Sequence, residues 1–204
     1  MVLYSRGRGS DNTTLYGKER TGMATKTTDK IKPTYVGFQR KEYKWKNYID
    51  YRRNPHLYEI GRGQQGVLIC EPYKSELYPL WRFKTPEEAQ ESCEKIYYKF
   101  FMYLKEGDFV GADMAKKYLH MGFTRSRRYW NHSSGKKWKK VSEDNICHYS
   151  GLPSTKSYKW EVLPYDRTEK RFYESSLIFQ KYWKAARENE KYLEMKKQFK
   201  ESKC

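Results

Sequence analysis

The spacing of hydrophobic positions changes along this chain, and each change marks a predicted element. Over residues 1–33 large aliphatics are sparse and Gly, Ser, Thr and Lys dominate, too little apolar surface to fold alone. This stretch reads as an extended basic arm ending at Pro33, and residues 34–201 as a single domain. From Tyr35 to Arg53 aromatics (Tyr43, Trp45, Tyr48, Tyr51) alternate with Lys and Arg, as expected of a piece docked on a core. Gly66-Val67-Leu68-Ile69-Cys70 is a short apolar run bounded by Gly66 and Pro72, which predicts a buried strand. Leu80-Trp81-Arg82-Phe83 predicts a second.

Thr85-Pro86-Glu87-Glu88 then combines a capping residue, a Pro at the first helical position and an acid three residues after the cap. Behind it Ala89, Cys93, Ile96, Tyr97, Phe100, Phe101 and Leu104 recur at helical spacing, and Gly107 ends the helix. Asp108 predicts the cap of a shorter helix that ends at Gly122, and Thr124 the cap of another, Arg125 to Trp130. Residues 131–140 read as a loop. Residues 142–167 are turn-rich, with one short strand near Trp160. From about Thr168 a long helix carries Phe172, Phe179, Trp183 and Ala186 as its buried stripe, with frayed last turns from Lys196 to Lys203. The predicted fold is therefore α+β, a small antiparallel sheet packed by three or four helices, with a long C-terminal helix and an extended basic N-terminal arm.

Composition changes this picture in one respect. Only 37% of the 204 residues are hydrophobic, but 17% are aromatic, including 20 Tyr. Aromatics bury large areas each, so the core should be small, Tyr- and Trp-rich, with phenol hydroxyls reaching the surface. No run approaches the roughly 18 apolar residues of a membrane-spanning helix, and the N-terminus lacks the apolar centre of a secretory signal. The expected location is cytoplasmic, nuclear or virion-interior, without secretion or membrane insertion. Cys70, Cys93, Cys147 and Cys204 lie far apart, as reduced thiols do, and no His or Cys spacing calls for a metal or other cofactor.

Charge carries the functional signal. The formal net charge is +17. Between Asp113 and Glu143 stand Lys116, Lys117, Arg125, Arg127, Arg128, Lys136, Lys137, Lys139 and Lys140, without a single carboxylate, interleaved with Tyr118, Phe123, Tyr129, Trp130 and Trp138. Such an imbalance repels itself unless a polyanion or acidic partner relieves it. Tyr118 and Phe123 face inward by their helical neighbours. The expected contact surface is Arg125, Arg127, Arg128 and Lys136, Lys137, Lys139 and Lys140 on phosphates, with Trp130 and Trp138 as stacking groups. A short helix capped at Thr124 would add its N-terminus to those arginines, and its step through Gly122 has something of helix-turn-helix geometry.

Gly61-Arg62-Gly63-Gln64-Gln65-Gly66 has the letters of a dinucleotide fingerprint, but its glycines precede a predicted strand instead of linking a strand to a helix. A kinase glycine loop fails as well, since Val67 follows Gly66 at once and neither H-R-D nor D-F-G appears. The run reads as a tight turn, with a backbone nest around Arg62 as its functional alternative. Glu71 and Glu76 flank Lys74, as surface ion pairs or, less simply, as an acid–base pair.

Tyr51-Arg52-Arg53-Asn54-Pro55, Ile60 to Leu68, Glu71-Pro72-Tyr73-Lys74-Ser75-Glu76 and Trp81-Arg82-Phe83-Lys84-Thr85-Pro86 form one set of motifs with Phe109-Val110-Gly111-Ala112-Asp113-Met114-Ala115 and Met121 to Tyr129. From Tyr51 to about Trp138 the chain resembles a family known as a domain of unknown function, whose members are often labelled "cytoplasmic protein". The resemblance implies one compact domain and no activity, and the arm before Lys32 falls outside it. Three functions are then open. The first is binding of DNA or RNA with little sequence preference. The second is a small basic structural component of a large, for example viral, assembly, with protein partners held through the arm. The third is an enzyme on a phosphorylated or nucleic-acid substrate, with Arg62, Glu71, Lys74 and His132 in one pocket. The residues favour a binding role over catalysis.

Overall fold

Thr85 caps the first long helix as its sequence requires: its hydroxyl accepts from Glu88 N at 3.2 Å. In the computed structural model, which describes residues 43–141 and 159–203, five helices and a two-stranded sheet follow one another in the order α1 (Tyr73–Leu77), α2 (Pro86–Lys105), α3 (Phe109–Asn131), β1 (Trp138–Val141), β2 (Lys159–Val162), α4 (Lys170–Glu188) and α5 (Glu190–Glu201). All described residues belong to one unit, Pro33–Cys204. The arm over residues 1–33 and the segment 142–158 lie outside the described residues.

Helices α2, α3 and α4 pack on one another, and α5 closes against α3 and α4. Their shared core holds Cys93, Ile96 and Phe100 from α2, Met114, Ala115, Tyr118 and Leu119 from α3, and Phe179 and Ala186 from α4. The domain is mostly helical, and its antiparallel sheet is small. That sheet is not where the apolar runs place it. Ile69 N and Cys70 N both donate to Gly66 O at 3.0 Å, so Gly66–Cys70 is a series of turns. Trp81 N closes a 3-10 turn on Tyr78 O at 3.2 Å, and Arg82 N donates to Ser92 Oγ on α2 at 3.1 Å. With those amides used locally, neither run has a ladder to join, and a short apolar run alone does not distinguish strand from turn. The strands are Trp138–Val141 and the segment at Trp160, paired antiparallel with Trp138 opposite Val162, Lys139 opposite Glu161 and Lys140 opposite Trp160.

Two helix boundaries also move. Helix α3 runs unbroken through Gly122 and Thr124. A Cβ on Gly122 would lie 2.2 Å from the Phe179 ring, so the glycine serves the α3–α4 contact and ends nothing. Thr124 Oγ1 donates back to Met121 O at 3.2 Å within the helix and caps no new one. The helix-turn-helix likeness and the helix N-terminus beside the arginines are both removed. Conversely, the C-terminal helix is two. Asn189 has extended backbone, and its side chain accepts from Tyr192 N at 3.0 Å, which caps α5. Helix α5 then continues to Glu201 instead of fraying from Lys196, and Lys203 donates to the Tyr58 carbonyl.

The aromatic core departs from expectation in its polar ends. Tyr51, Tyr58, Tyr73, Tyr118 and Tyr192 are fully buried, and most of their hydroxyls find internal partners. Tyr58 and Tyr192 donate to Asp113, the latter at 2.7 Å, and Tyr73 donates to Asp108 at 2.7 Å. Partly buried Glu76 accepts from Tyr103 OH at 2.6 Å, and Tyr51 OH accepts from Lys46 N at 2.9 Å. A buried phenol needs such a partner, and carboxylates make strong ones.

Candidate nucleic-acid interface

The acid-free stretch divides at the middle of α3. Lys116 and Lys117 turn inward and hold the fully buried Asp113, at 2.6 and 3.0 Å. Burial alone would raise the Asp113 carboxyl, but the Lys116 and Lys117 charges hold it well below the usual carboxylate range. Lys117 also donates to Tyr58 OH at 2.7 Å and to Gln65 O at 3.2 Å, so one ammonium fastens α3 to the chain that precedes α1. Lys117 thereby leaves the surface, and Lys116 nearly so.

In its second half α3 still packs on α4 through Gly122, Tyr129 and Trp130, and flanking those contacts Arg125 and Arg127 are exposed, Arg128 half-buried. The three do not share one face. At about 100° per residue Arg128 sits about 60° from Arg125, and Arg127 about 100° further round. Arg127 lies over the Phe123 ring, with its guanidinium carbon 5.3 Å from the centroid. Among the described residues none of these three arginines makes an ion pair.

The hairpin is stitched to the end of α3. His132, the cap residue, is buried, and its Nδ1 lies 3.1 Å from Pro164 O. Asp166 N donates to Asn131 O at 3.1 Å, and the Asp166 carboxylate accepts from Ser133 N and Oγ at 2.8 and 2.7 Å. These bonds hold the Asp166 carboxyl below its ordinary value. Leu163 N to Lys137 O at 2.9 Å extends the ladder by one bond. Lys136 and Lys139 are exposed, Lys137 and Lys140 half-buried, and the Lys137 ammonium lies 5.4 Å from the Trp138 ring centroid.

Tertiary structure brings in groups that the linear stretch lacks. Arg167, Lys170 and Arg171 at the start of α4 join the surface, and so do Glu161 opposite Lys139 and Glu169, which pairs with Arg171 at 2.9 Å. Arg167 has a left-handed backbone, φ 49°, and its guanidinium lies 5.0 Å from the Trp130 ring and 5.1 Å from the Tyr165 ring. Trp130 also packs on Tyr173 at 4.4 Å. A base stacking on Trp130 therefore competes with Arg167. No sequence spacing signals this neighbour, which is 37 residues away in the chain and arrives only when the hairpin returns it.

The other predicted groups lie elsewhere. Arg62 is exposed on the glycine turn. There the amides of Arg62, Gln65, Gly66 and Val67 all have acceptors or partners within the fold: Gln65 Oε1, Arg62 O, Tyr43 OH and Gln64 O. A Cβ on Gly61 would meet the Trp45 ring at 2.5 Å. The turn is a seat for Trp45, and it offers an anion the Arg62 side chain instead of a nest of amides. Glu71 pairs with Lys74 at 2.9 Å and accepts from Ser75 Oγ at 2.7 Å. Burial works to raise its carboxyl, but those bonds leave it below the ordinary value. Glu76 is lowered first by its bond to Arg52, at 2.7 Å. Two bound, ionised carboxylates are poorly suited to general acid work. His132 faces Pro164 and Tyr165, while Glu71 and Lys74 stand at α1, beside the other half of α3. Beside Arg52 a cleft of about 610 Å³ opens between the α2–α3 turn and the end of α5, lined by His56, Asp108, Phe109, Phe199 and Lys203. Among the described residues no cluster of His, Cys, Asp and Glu has metal-ligand geometry, and no helix is long and apolar enough to cross a membrane.

The fold and this surface define a helix-rich basic domain with a short antiparallel hairpin. The chain belongs to the family described as a domain of unknown function (DUF4385), which matches residues 21–202. That span exceeds the Tyr51-to-Trp138 likeness at both ends, taking in α4, α5 and the last part of the arm. No curated protein and no solved structure matches the chain.

Proposed function

We propose that this protein binds nucleic acid with little sequence preference, through the second half of α3, the β1–β2 hairpin and the start of α4. The observation that carries the reading is the gathering of Arg125, Arg127, Arg128, Lys137, Lys139 and Arg167 on adjoining elements, in a chain of net charge +17. Glu161, opposite Lys139, and Glu169, paired with Arg171, offset part of this charge and leave the arginines of α3 in excess. Splayed arginines and a two-stranded ribbon suit contact with successive phosphates better than readout of one base edge. Because Trp130 is already covered by Arg167 and Tyr173, phosphate contact leads and stacking is secondary.

The test is affinity for a short duplex across a salt series. If about five phosphates are neutralised, log affinity falls against log salt with a slope near −4.5. An affinity that stays flat from low to moderate salt rejects the proposal.

A further inference from the structure

Away from that surface, a second concentration of cationic groups lies where α5 meets α3. Lys196, Lys200 and Lys203 recur at i, i+4 and i+7 on the flank of α5 next to the buried Tyr192, while Glu190, Glu194 and Glu201 take the far side of the helix. Across the seam α3 contributes Lys116 and Lys117. The carboxylate at their centre is Asp113, which is fully buried and accepts from Tyr58, Tyr192, Lys116 and Lys117.

The hydrogen bonds show which cations have capacity left. Lys117 donates to Tyr58 OH and Gln65 O and pairs with Asp113, which accounts for its three protons. Lys116 donates to Asp113 Oδ1 at 2.6 Å and Tyr192 OH at 2.5 Å, which leaves one proton, and its side chain keeps 13% exposure. Lys196 stands half-buried beside it. The Lys116 and Lys196 ammonium groups lie 4.7 and 6.0 Å from the centroid of the same Tyr192 ring. Burial lowers the Lys196 pKa, repulsion from Lys116 lowers it further, Asp113 opposes this in part, and Lys200 adds a smaller lowering. Among the described residues, Lys116, Lys117 and Lys196 thus carry three positive charges around the single charge of Asp113, in partly desolvated surroundings where repulsion is weakly screened.

We propose that the α3–α5 seam is a phosphate-binding site, in which Lys116 and Lys196 hold a tetrahedral oxyanion and the Asp113–Lys117 pair fixes Lys116 in place. A dianion matches the charge excess, and its oxygens accept charge-assisted hydrogen bonds from both ammonium groups. None of its residues lies on the surface proposed for nucleic acid. The ligand is inorganic phosphate or a phosphate group of a nucleic acid.

The experiment is thermal unfolding of the full chain, titrated with sodium phosphate and, separately, with a short DNA duplex, against sodium chloride at matched ionic strength. Lys196→Met removes one ligand without touching Asp113, and Lys197→Met on the exposed side of α5 is the control. A saturable rise in Tm with phosphate, present in the parent and in Lys197→Met and absent in Lys196→Met, supports a free-phosphate site. A rise with the duplex and not with phosphate, smaller in Lys196→Met than in the parent and Lys197→Met, assigns the site to backbone phosphate. Phosphate also stabilises proteins by exclusion from their surface, and that effect is common to all three chains. Equal shifts in parent and Lys196→Met, or no shift with either ligand, overturn the proposal.

Discussion

The Lys117 ammonium lies 3.0 Å from Asp113 Oδ2 with 1% of the lysine side chain and none of the aspartate exposed. This pair joins α3 to Tyr58, to the glycine turn through Gln65 O and, through Tyr192, to α5. Removing one member leaves a buried charge without its partner, which costs about 3–5 kcal/mol. Asp113→Ala and Lys117→Met should each lower the unfolding free energy from urea titration by about that amount. The double variant should recover a substantial part of the loss, and a strictly additive double variant would show that the two do not act as a pair.

Stability should fall at both ends of the pH scale, for different groups. The native Asp113 pKa is depressed, so its contribution is present above the unfolded value of about 3.9 and is lost as pH falls below it. Tyr58 and Tyr192 are raised, first by burial and then by the Asp113 charge. Their contribution is intact below the unfolded value of about 10 and is lost as pH rises beyond it. Urea midpoints measured from pH 2 to 11 should trace both limbs, and Asp113→Asn should flatten the acid one.

Gly122→Ala tests the α3–α4 contact against intrinsic propensity. Alanine is better than glycine inside a helix by about 1 kcal/mol. Here the new Cβ would lie 2.2 Å from the Phe179 ring, and overpacking of a filled core costs about 1–3 kcal/mol. The steric term should win, and the variant should melt below the parent. A higher Tm would show that Phe179 moves aside without loss.

Burial pushes the Cys70 thiol up to about 12 and raises Cys93 as well. Neither should form thiolate at neutral pH. Peptide mapping after brief alkylation should find both unmodified in the native protein and both labelled in urea.

For nucleic-acid binding, replacing Arg125, Arg127 or Arg128 by Gln should weaken affinity about equally across duplex sequences and reduce the salt slope by roughly 1 each. Lys181→Gln, on the exposed middle of α4, should leave both unchanged. Equal effects at Lys181 would point to net charge instead of the α3 surface.

Helix α2 is legible in the sequence, because its cap, its apolar stripe and the terminating Gly107 are local features that agree with one another, although Phe101 of that stripe is exposed. The α4 stripe is legible for the same reason at Phe172, Phe179 and Ala186, with Trp183 only half-buried, and so is the strand at Trp160. Gly122 misled because a glycine that stops a helix and a glycine that admits a neighbouring ring look identical in a linear chain. Asn189 did the reverse: its capping bond to Tyr192 splits the C-terminal helix where the apolar spacing continues across it. At the interface, spacing identified Arg125, Arg127, Arg128 and the Lys136-to-Lys140 group. It could not supply Arg167 above Trp130, or Glu161 across from Lys139, since both depend on where the hairpin returns the chain.

The sequence by itself determined the helical elements with strong local caps, the aromatic character of the core and an excess of positive charge concentrated in one stretch. Only the tertiary structure decided how that charge is used. Lys116 and Lys117 turn inward because Asp113, one helical turn earlier, is buried with them by Tyr58 and Tyr192. Arg125, Arg127 and Arg128 are left at or near the surface because Gly122, Ser126 and Tyr129 take the face of α3 that packs on α4. A charge has the same sign wherever it stands in the chain, but its partners and its contact with water are set by what folds against it.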